Sequence, residues 1–195
     1  APLPLQVRLR SLCHSDTNTA YAHHFTKAHV QVLSSNTWTQ IATIQAFYVW
    51  SLRNAKKSVY IVNPYVLPPM WFKKELFRAA KRGVKIHILL AAENCSDVPV
   101  VRIATTHLYQ EFLENGVRIF EFGQRILHAK YMVVDETHSC VGSFNLDPYS
   151  SSVNLEIMVA LPNNPTAASV LLNDVKREID AEYTQEITLE QVRNR

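Results

Sequence analysis

An α/β fold, with a mixed and mostly parallel sheet sandwiched between helices, is predicted by three features of the 195-residue sequence. Apolar runs of strand length recur as SVYIVNP at 58–64, VKIHILLA at 84–91 and VRIFEF at 117–122. Between them lie stretches of helical length. The connections are short, so strand–helix–strand–helix–strand reads as successive crossovers in one sheet.

Taken in order, residues 1–28 carry Pro2, Pro4, a Ser/Thr/Asn cluster and the pair His23–His24, and read as an N-terminal linker or edge segment ahead of one domain over 29–195. HVQVL at 29–33 alternates as a strand does. Asn36 or Thr37 is placed to cap a helix running to about residue 55, with Ile41, Ile44, Phe47, Tyr48 and Leu52 at helical spacing and Trp38 and Trp50 as packing residues. Pro64 stops the 58–64 strand, and a helix from about Pro69 to Arg82 ends at Gly83. His87, in the middle of the 84–91 strand, is expected to be a hydrogen-bonded core histidine. The next helix runs from about Pro99 to Glu114 and stops at Asn115–Gly116, where a left-handed residue is wanted.

After Gly123 the pattern changes: ILHAKYMVVD and SCVGS read as two adjacent strands joined by a turn. VNLEIMVAL at 153–161 is a further strand, and a helix from about Pro165 to Tyr183 shows Val170, Leu171, Val175 and Ile179 on one face.

Composition narrows the function classes. With 47% hydrophobic and 19% charged residues the chain is an ordinary globular domain, long enough to bury a sizeable core. A formal charge of +3 suits an anionic substrate or a membrane surface and is too small to argue for nucleic acid. Cys13, Cys95 and Cys140 are too few and too widely spaced for a disulfide framework or a metal cluster, so a reducing compartment is expected, with Cys140 a small buried apolar residue. No apolar run approaches the roughly 18–20 residues that span a bilayer. APLPLQVRLR does not read as a signal peptide, and the abrupt start reads as a piece of a longer protein.

The chemistry concentrates between residues 128 and 156. His128 and Lys130 stand two apart on an expected strand beginning near Leu127, so both project from the face that also carries Met132 and Val134. Asp135 follows at the strand's far end, then Ser143 and Asn145 in GSFNLD, and Glu156 in VNLEIMV. An imidazole, an ammonium, an amide donor and a carboxylate together handle a phosphate ester. Lys130, Ser143 and Asn145 would hold the phosphate oxygens. Glu156 shares a face with Asn154 and Met158, and its expected partner is His128, whose tautomer it would fix.

The spacing H-x-K-x4-D followed by G-S-x-N resembles the HKD signature of the phospholipase D superfamily. VQVLSSN near residue 30, NPYVLP at 63–68 and QEITLEQVRNR at the end are similar to the second half of bacterial-type cardiolipin synthases, over about residues 30 to 195.

The resemblance implies a phospholipase D-like fold and a catalytic set of His128, Lys130, Asp135 and Glu156 acting through a phosphohistidine intermediate. His128 would be the acid/base rather than the nucleophile. Asp135 would keep the turn in place by accepting hydrogen bonds. It further implies a phospholipid substrate, a second HKD motif from another copy or a missing N-terminal half, association with the cytoplasmic side of a membrane, and no metal or other cofactor.

Two departures, Tyr149 where an arginine is common and Val192 where a tryptophan is usual, leave the particular lipid open. The alternatives are an HKD-type endonuclease acting as a homodimer, with Lys73, Lys74, Arg78, Lys81 and Arg82 as its basic stripe, or an inactive half-site fragment.

Overall fold

The computed structural model describes residues 29–36 and 41–194. The 1–28 segment, the His23–His24 pair, Cys13 and Trp38 therefore lie outside the described residues. Nine strands form one mixed sheet in the order β2-β1-β8-β7-β6-β3-β4-β5-β9. The strands are β1 (Gln31–Asn36), β2 (Ile41–Ala42), β3 (Ser58–Val62), β4 (Lys85–Ala91), β5 (Val117–Phe122), β6 (Tyr131–Val134), β7 (His138–Gly142), β8 (Glu156–Leu161) and β9 (Thr184–Ile187).

Helices cover both faces, as expected for this class. Ile44, Tyr48 and Leu52 of α1 (Thr43–Asn54), Phe72 and Leu76 of α2 (Met70–Lys81) and Phe112 of α4 (Tyr109–Glu114) pack in one cluster with Ile61, Ile88, Ile119 and Met132. Ala168, Leu172 and Val175 of α6 (Pro165–Ile179) pack on the opposite face against Val62, Leu89, Phe120 and Tyr131.

The sheet is less parallel than expected. Only β3–β4 and β4–β5 pair in parallel. These are the connections with a helix to carry the chain back across the sheet, which a parallel step requires. β6 enters antiparallel to β3, turns tightly through Asp135–Thr137 into β7, and β8 returns antiparallel beside it.

Several boundaries also move. α1 starts at Thr43, after the short β2, and Ala42 at its start supplies no side-chain cap. Trp50 is largely exposed, edge-on to the His138 ring, rather than packed in the core. The 99–114 helix divides into α3 (Pro99–Thr106) and α4. Thr105 and Thr106 turn their hydroxyls back onto the carbonyls of Val101 and Ile103, a competition that ends α3. On α6, Leu172 rather than Val170 meets the core, and Val170 is exposed.

Gly116 has φ +80°, the left-handed stop the Asn115–Gly116 pair implied. His87 is buried and stacked on Tyr60 with ring centroids 4.4 Å apart, but only one ring nitrogen has a partner, Arg118 at 3.3 Å. Burial pushes its pKa down to about 4, so the ring is neutral. Cys140 is fully buried and free, its thiol pushed up to about 12 by burial.

Candidate active site

Three adjacent strands bring the motif pieces to one end of the sheet. Lys130 precedes β6, Ser143 follows β7 and Glu156 opens β8. Gly142 N donates to Lys130 O at 3.1 Å, and Ser143 N donates to Ile157 O at 2.9 Å, so the pieces lie side by side. Gly142 allows this closeness: an added Cβ would meet Ile157 O at 2.2 Å.

The strand expected from Leu127 begins only at Tyr131. β3 ends opposite it at Val62: Asn63 N still donates to Leu89 O of β4 at 3.1 Å, and Pro64 then has no N–H to give. The Asn63 side chain spans the site's floor, donating from Nδ2 to Phe144 O at 3.2 Å and accepting from Leu146 N at 3.3 Å.

His128 therefore stands on extended chain ahead of β6, with its side chain 65% exposed. Lys130 is buried, and its Nζ donates to His128 O at 2.8 Å. Burial lowers the Lys130 pKa, while the carboxylates of Asp97, Glu156 and Asp147 act in the opposite direction. Three acids from three different segments thus act on one ammonium group.

Glu156 is buried and fully engaged. Ser143 Oγ donates to one carboxylate oxygen, while Ser150 Oγ at 2.7 Å and Asn154 Nδ2 at 3.2 Å donate to the other. Among the described residues no hydrogen bond joins Glu156 to His128. The expected pairing is replaced by this anchored carboxylate, which reaches Lys130 through the field rather than the imidazole through a bond. The apolar residues of the β8 region lie the other way: Val153, Leu155 and Ile157 are exposed, while Glu156, Met158 and Ala160 face inward.

Asn145 is half-buried, and its buried Oδ1 has no partner. Asp135 sits in the β6–β7 turn at φ +50° and accepts from Lys56 N at 2.8 Å, Lys57 N at 2.7 Å and Ser58 N at 3.0 Å. It ties α1's exit to the turn, at the opposite end of β6 from Lys130.

The sequence reading missed Asp97 and Tyr65. Tyr65 donates its hydroxyl to Asp97, whose other carboxylate oxygen lies 3.9 Å from His128 Nε2. The signal available was NPY itself, a tyrosine placed just after a strand's carboxyl end, where α/β sites open. The neighbouring apolar group is mostly core: Val66 and Phe72 are fully buried and Trp71 packs against them, leaving Met70 70% exposed. A separate cleft of about 530 Å³, lined by Arg102, His107, Tyr109 and Glu121 among others, includes none of the predicted site residues.

A mixed sheet between helices, with a histidine and a lysine at a strand's entrance and a buried glutamate beside them, defines a phospholipase D-type domain. Nuc, a phospholipase D family member from Salmonella typhimurium, superposes with a TM-score of 0.68 at 22% identity, over 83% of this chain and 99% of that one. Phosphatidylserine synthase of Haemophilus influenzae Rd KW20 gives a TM-score of 0.69 at 12% identity, over 81% of this chain and 39% of that one.

The family described as "Cardiolipin synthase, PLD-like domain" matches residues 48–179, and the chain belongs to that family. Cardiolipin synthase B of Escherichia coli K12 is 39% identical over 118 residues, which is 60% of this chain and 28% of the relative. A cardiolipin synthase of Halalkalibacterium halodurans is 30% identical over 166 residues, 85% of this chain. The chain spans about a third or less of the length of these relatives, 28% and 32%.

Proposed function

We propose that this domain supplies one half of a phospholipase D-type site that transfers or hydrolyses the phosphodiester of a phospholipid, as a cardiolipin synthase-like phosphatidyltransferase. The observation that carries the reading is the buried Lys130 ammonium, bonded to the backbone oxygen of an exposed His128 at 2.8 Å. An ammonium that gives one donor to His128 O, and has no ion-pair contact among the described residues, is suited to the non-bridging oxygens of a phosphodiester.

In the proposed reaction a histidine of the second motif attacks phosphorus and forms a P–N bond. His128 protonates the departing alkoxide as the P–O bond breaks. Neutral His128 then takes the proton of an acceptor alcohol or water, whose oxygen displaces the histidine. The imidazole serves both steps because it donates when protonated and accepts when neutral. Lys130 offsets charge on the five-coordinate phosphorus, with Asn145 as the neighbouring donor, while the Ser143 hydroxyl is given to Glu156.

The second motif would come from another copy or from the remaining length of the protein. Exposed apolar side chains on β1, β8 and β7 support such a partner. Val32, Val141 and Ile157 are exposed there on a common face, beside the strand entrance that carries Glu156. Membrane association is proposed on exposed apolar side chains near the site segments: Met70 after β3, Val100 and Ile103 on α3, and Ile126 two residues before His128. No helix among the described residues is long and apolar enough to cross a membrane. The proposed basic stripe on α2 is largely occupied, since Lys73 pairs with Glu111, Arg78 with Glu75, and Arg82 with backbone carbonyls of α1's end.

The test is size-exclusion chromatography of the chain, then parallel assay of phosphatidylglycerol vesicles and single-stranded DNA, with His128→Ala alongside. Lipid turnover lost in a folded His128→Ala protein is the expected result. Retained activity in that variant, or a dimer that cleaves DNA and ignores lipid, overturns the reading.

A further inference from the structure

His128 meets a different charge at each of its ends. Its backbone oxygen accepts from the Lys130 ammonium at 2.8 Å. Its ring tip, Nε2, lies 3.9 Å from a carboxylate oxygen of Asp97, a side chain that is 37% exposed. A carboxylate at the ring tip repels an anionic group placed against it. What fits beside it is an uncharged hydrogen-bond donor, and the other reactant the site must take is an alcohol.

Asp97 is held in place from two directions. Leu127 N donates to Cys95 O at 3.3 Å, fastening the segment before His128 to the 3₁₀ turn Glu93–Cys95, which ends two residues ahead of Asp97. Tyr65, itself buried, donates its hydroxyl to the carboxylate. The Tyr65 backbone N–H is anchored in turn on Asn63 Oδ1 at 3.3 Å, the same amide that bridges Phe144 and Leu146 beneath the site. Burial, then this bond to Asp97, hold the phenol's pKa above its usual range, so the tyrosine remains a donor. Of the three carboxylates acting on Lys130, Asp97 has the largest effect. A surface aspartate with no role at the site would not need a buried tyrosine to aim it.

We propose that Asp97, oriented by Tyr65, is a specificity residue for the alcohol partner: it accepts a hydrogen bond from a second hydroxyl of a polyol, such as a glyceryl group, while the reacting hydroxyl faces His128. The inference rests on the phosphodiester reading above. Asp97 takes no proton and makes no covalent bond in this scheme. It selects alcohols that carry a neighbouring hydroxyl over simple alkanols, because only the former satisfy an acceptor that would otherwise face an alkyl group.

Two diesters of equal charge test this without requiring turnover. Bis(glyceryl) phosphate and diethyl phosphate are titrated into the full chain, with binding followed by the NMR signals of the Lys130 side chain. The unmodified chain is expected to bind the polyol diester about fivefold more tightly, the factor one partly exposed hydrogen bond supplies. In Asp97→Ala the ratio falls to about one, and diethyl phosphate binds at least as well as before, because the repelling charge is gone. Tyr65→Phe keeps the buried ring and lowers the ratio partway, which gives a second reading if Asp97→Ala disturbs the loop.

An unchanged ratio in both variants, or no preference in the unmodified chain, overturns the assignment of Asp97 while leaving Lys130 as an anion site. Failure of either diester to reach Lys130 overturns the phosphodiester reading itself and, with it, this inference.

Discussion

Asp135 gives the signature its last letter, yet its geometry assigns it to holding the chain together. Its two oxygens accept three backbone N–H groups, from Lys56, Lys57 and Ser58, between 2.7 and 3.0 Å. Hydrogen bonds to a charged group contribute about 1.5–3 kcal/mol each when shielded. Two of these donors lie in exposed chain, where water can replace the carboxylate, so about 0.5–1 kcal/mol each is the fitting allowance. The residue also sits at φ +50°, which Asp and Asn tolerate better than Ala; the difference adds roughly 1 kcal/mol.

Asp135→Ala should therefore destabilise the domain by about 3 kcal/mol, and Asp135→Asn, which keeps the turn and one acceptor, by about 1 kcal/mol. In urea, with a slope near 2 kcal/mol per molar, the Ala variant's midpoint falls by about 1.5 M at unchanged slope. Activity per folded molecule, measured well below the transition, should stay within about threefold. A variant as stable as the parent but inactive would refute the reasoning, because it would place Asp135 in contact with the reacting groups.

Glu156→Gln should reduce turnover by two orders of magnitude or more while circular dichroism is preserved. Its new amide N–H₂ faces one of the two hydroxyl donors, Ser143 or Ser150, which bond different carboxylate oxygens, and Lys130 loses a fixed negative charge. Arg102→Ala removes the guanidinium that pairs with buried Glu121, to which Tyr109 still donates, and should cost about 3 kcal/mol in chemical denaturation. His87 supplies a pH dependence whose sign follows from its folded pKa of about 4, below the ordinary histidine value. Above about pH 6.5 its contribution to stability is complete. As pH falls toward 4 the unfolded chain gains a proton that the folded ring refuses, and stability is lost through that window. His87→Phe, stacking on Tyr60, should flatten the midpoint-against-pH curve between pH 6.5 and 4.

Strand period and helix stops were legible because each depends on neighbours in the chain. The 58–62, 85–91 and 117–122 strands and the Gly116 stop follow from local apolar runs and left-handed φ alone. The β6–β7 pair was legible as two strands joined by a turn, but the antiparallel entry of β6 beside β3 was not, since the Asp135 turn is tied to hydrogen-bond partners 77–79 residues away. The same distance effect governs the site. His128, Lys130, Ser143, Asn145 and Glu156 were visible as a local pattern, and period-two reasoning put Glu156 and Met158 on a shared face, the buried one.

The pattern could not show that Ser150 and Asn154 would take the carboxylate intended for the imidazole. Nor could it show that Asp97, from a different connection, would be the acid beside the ring. A motif written along one stretch of chain records what local geometry aligns; the groups that set its charge arrive across the sheet. Lys130 makes the point, since its pKa is set by burial against three carboxylates, of which Asp97 and Asp147 were not among the residues the pattern picked out. A search for partners of a buried cation at a strand's entrance would begin with the loops at that end of the neighbouring parallel strands. The NPY segment after β3 and the Asp97 loop after β4 lie there side by side, joined by the hydrogen bond from Tyr65 to Asp97.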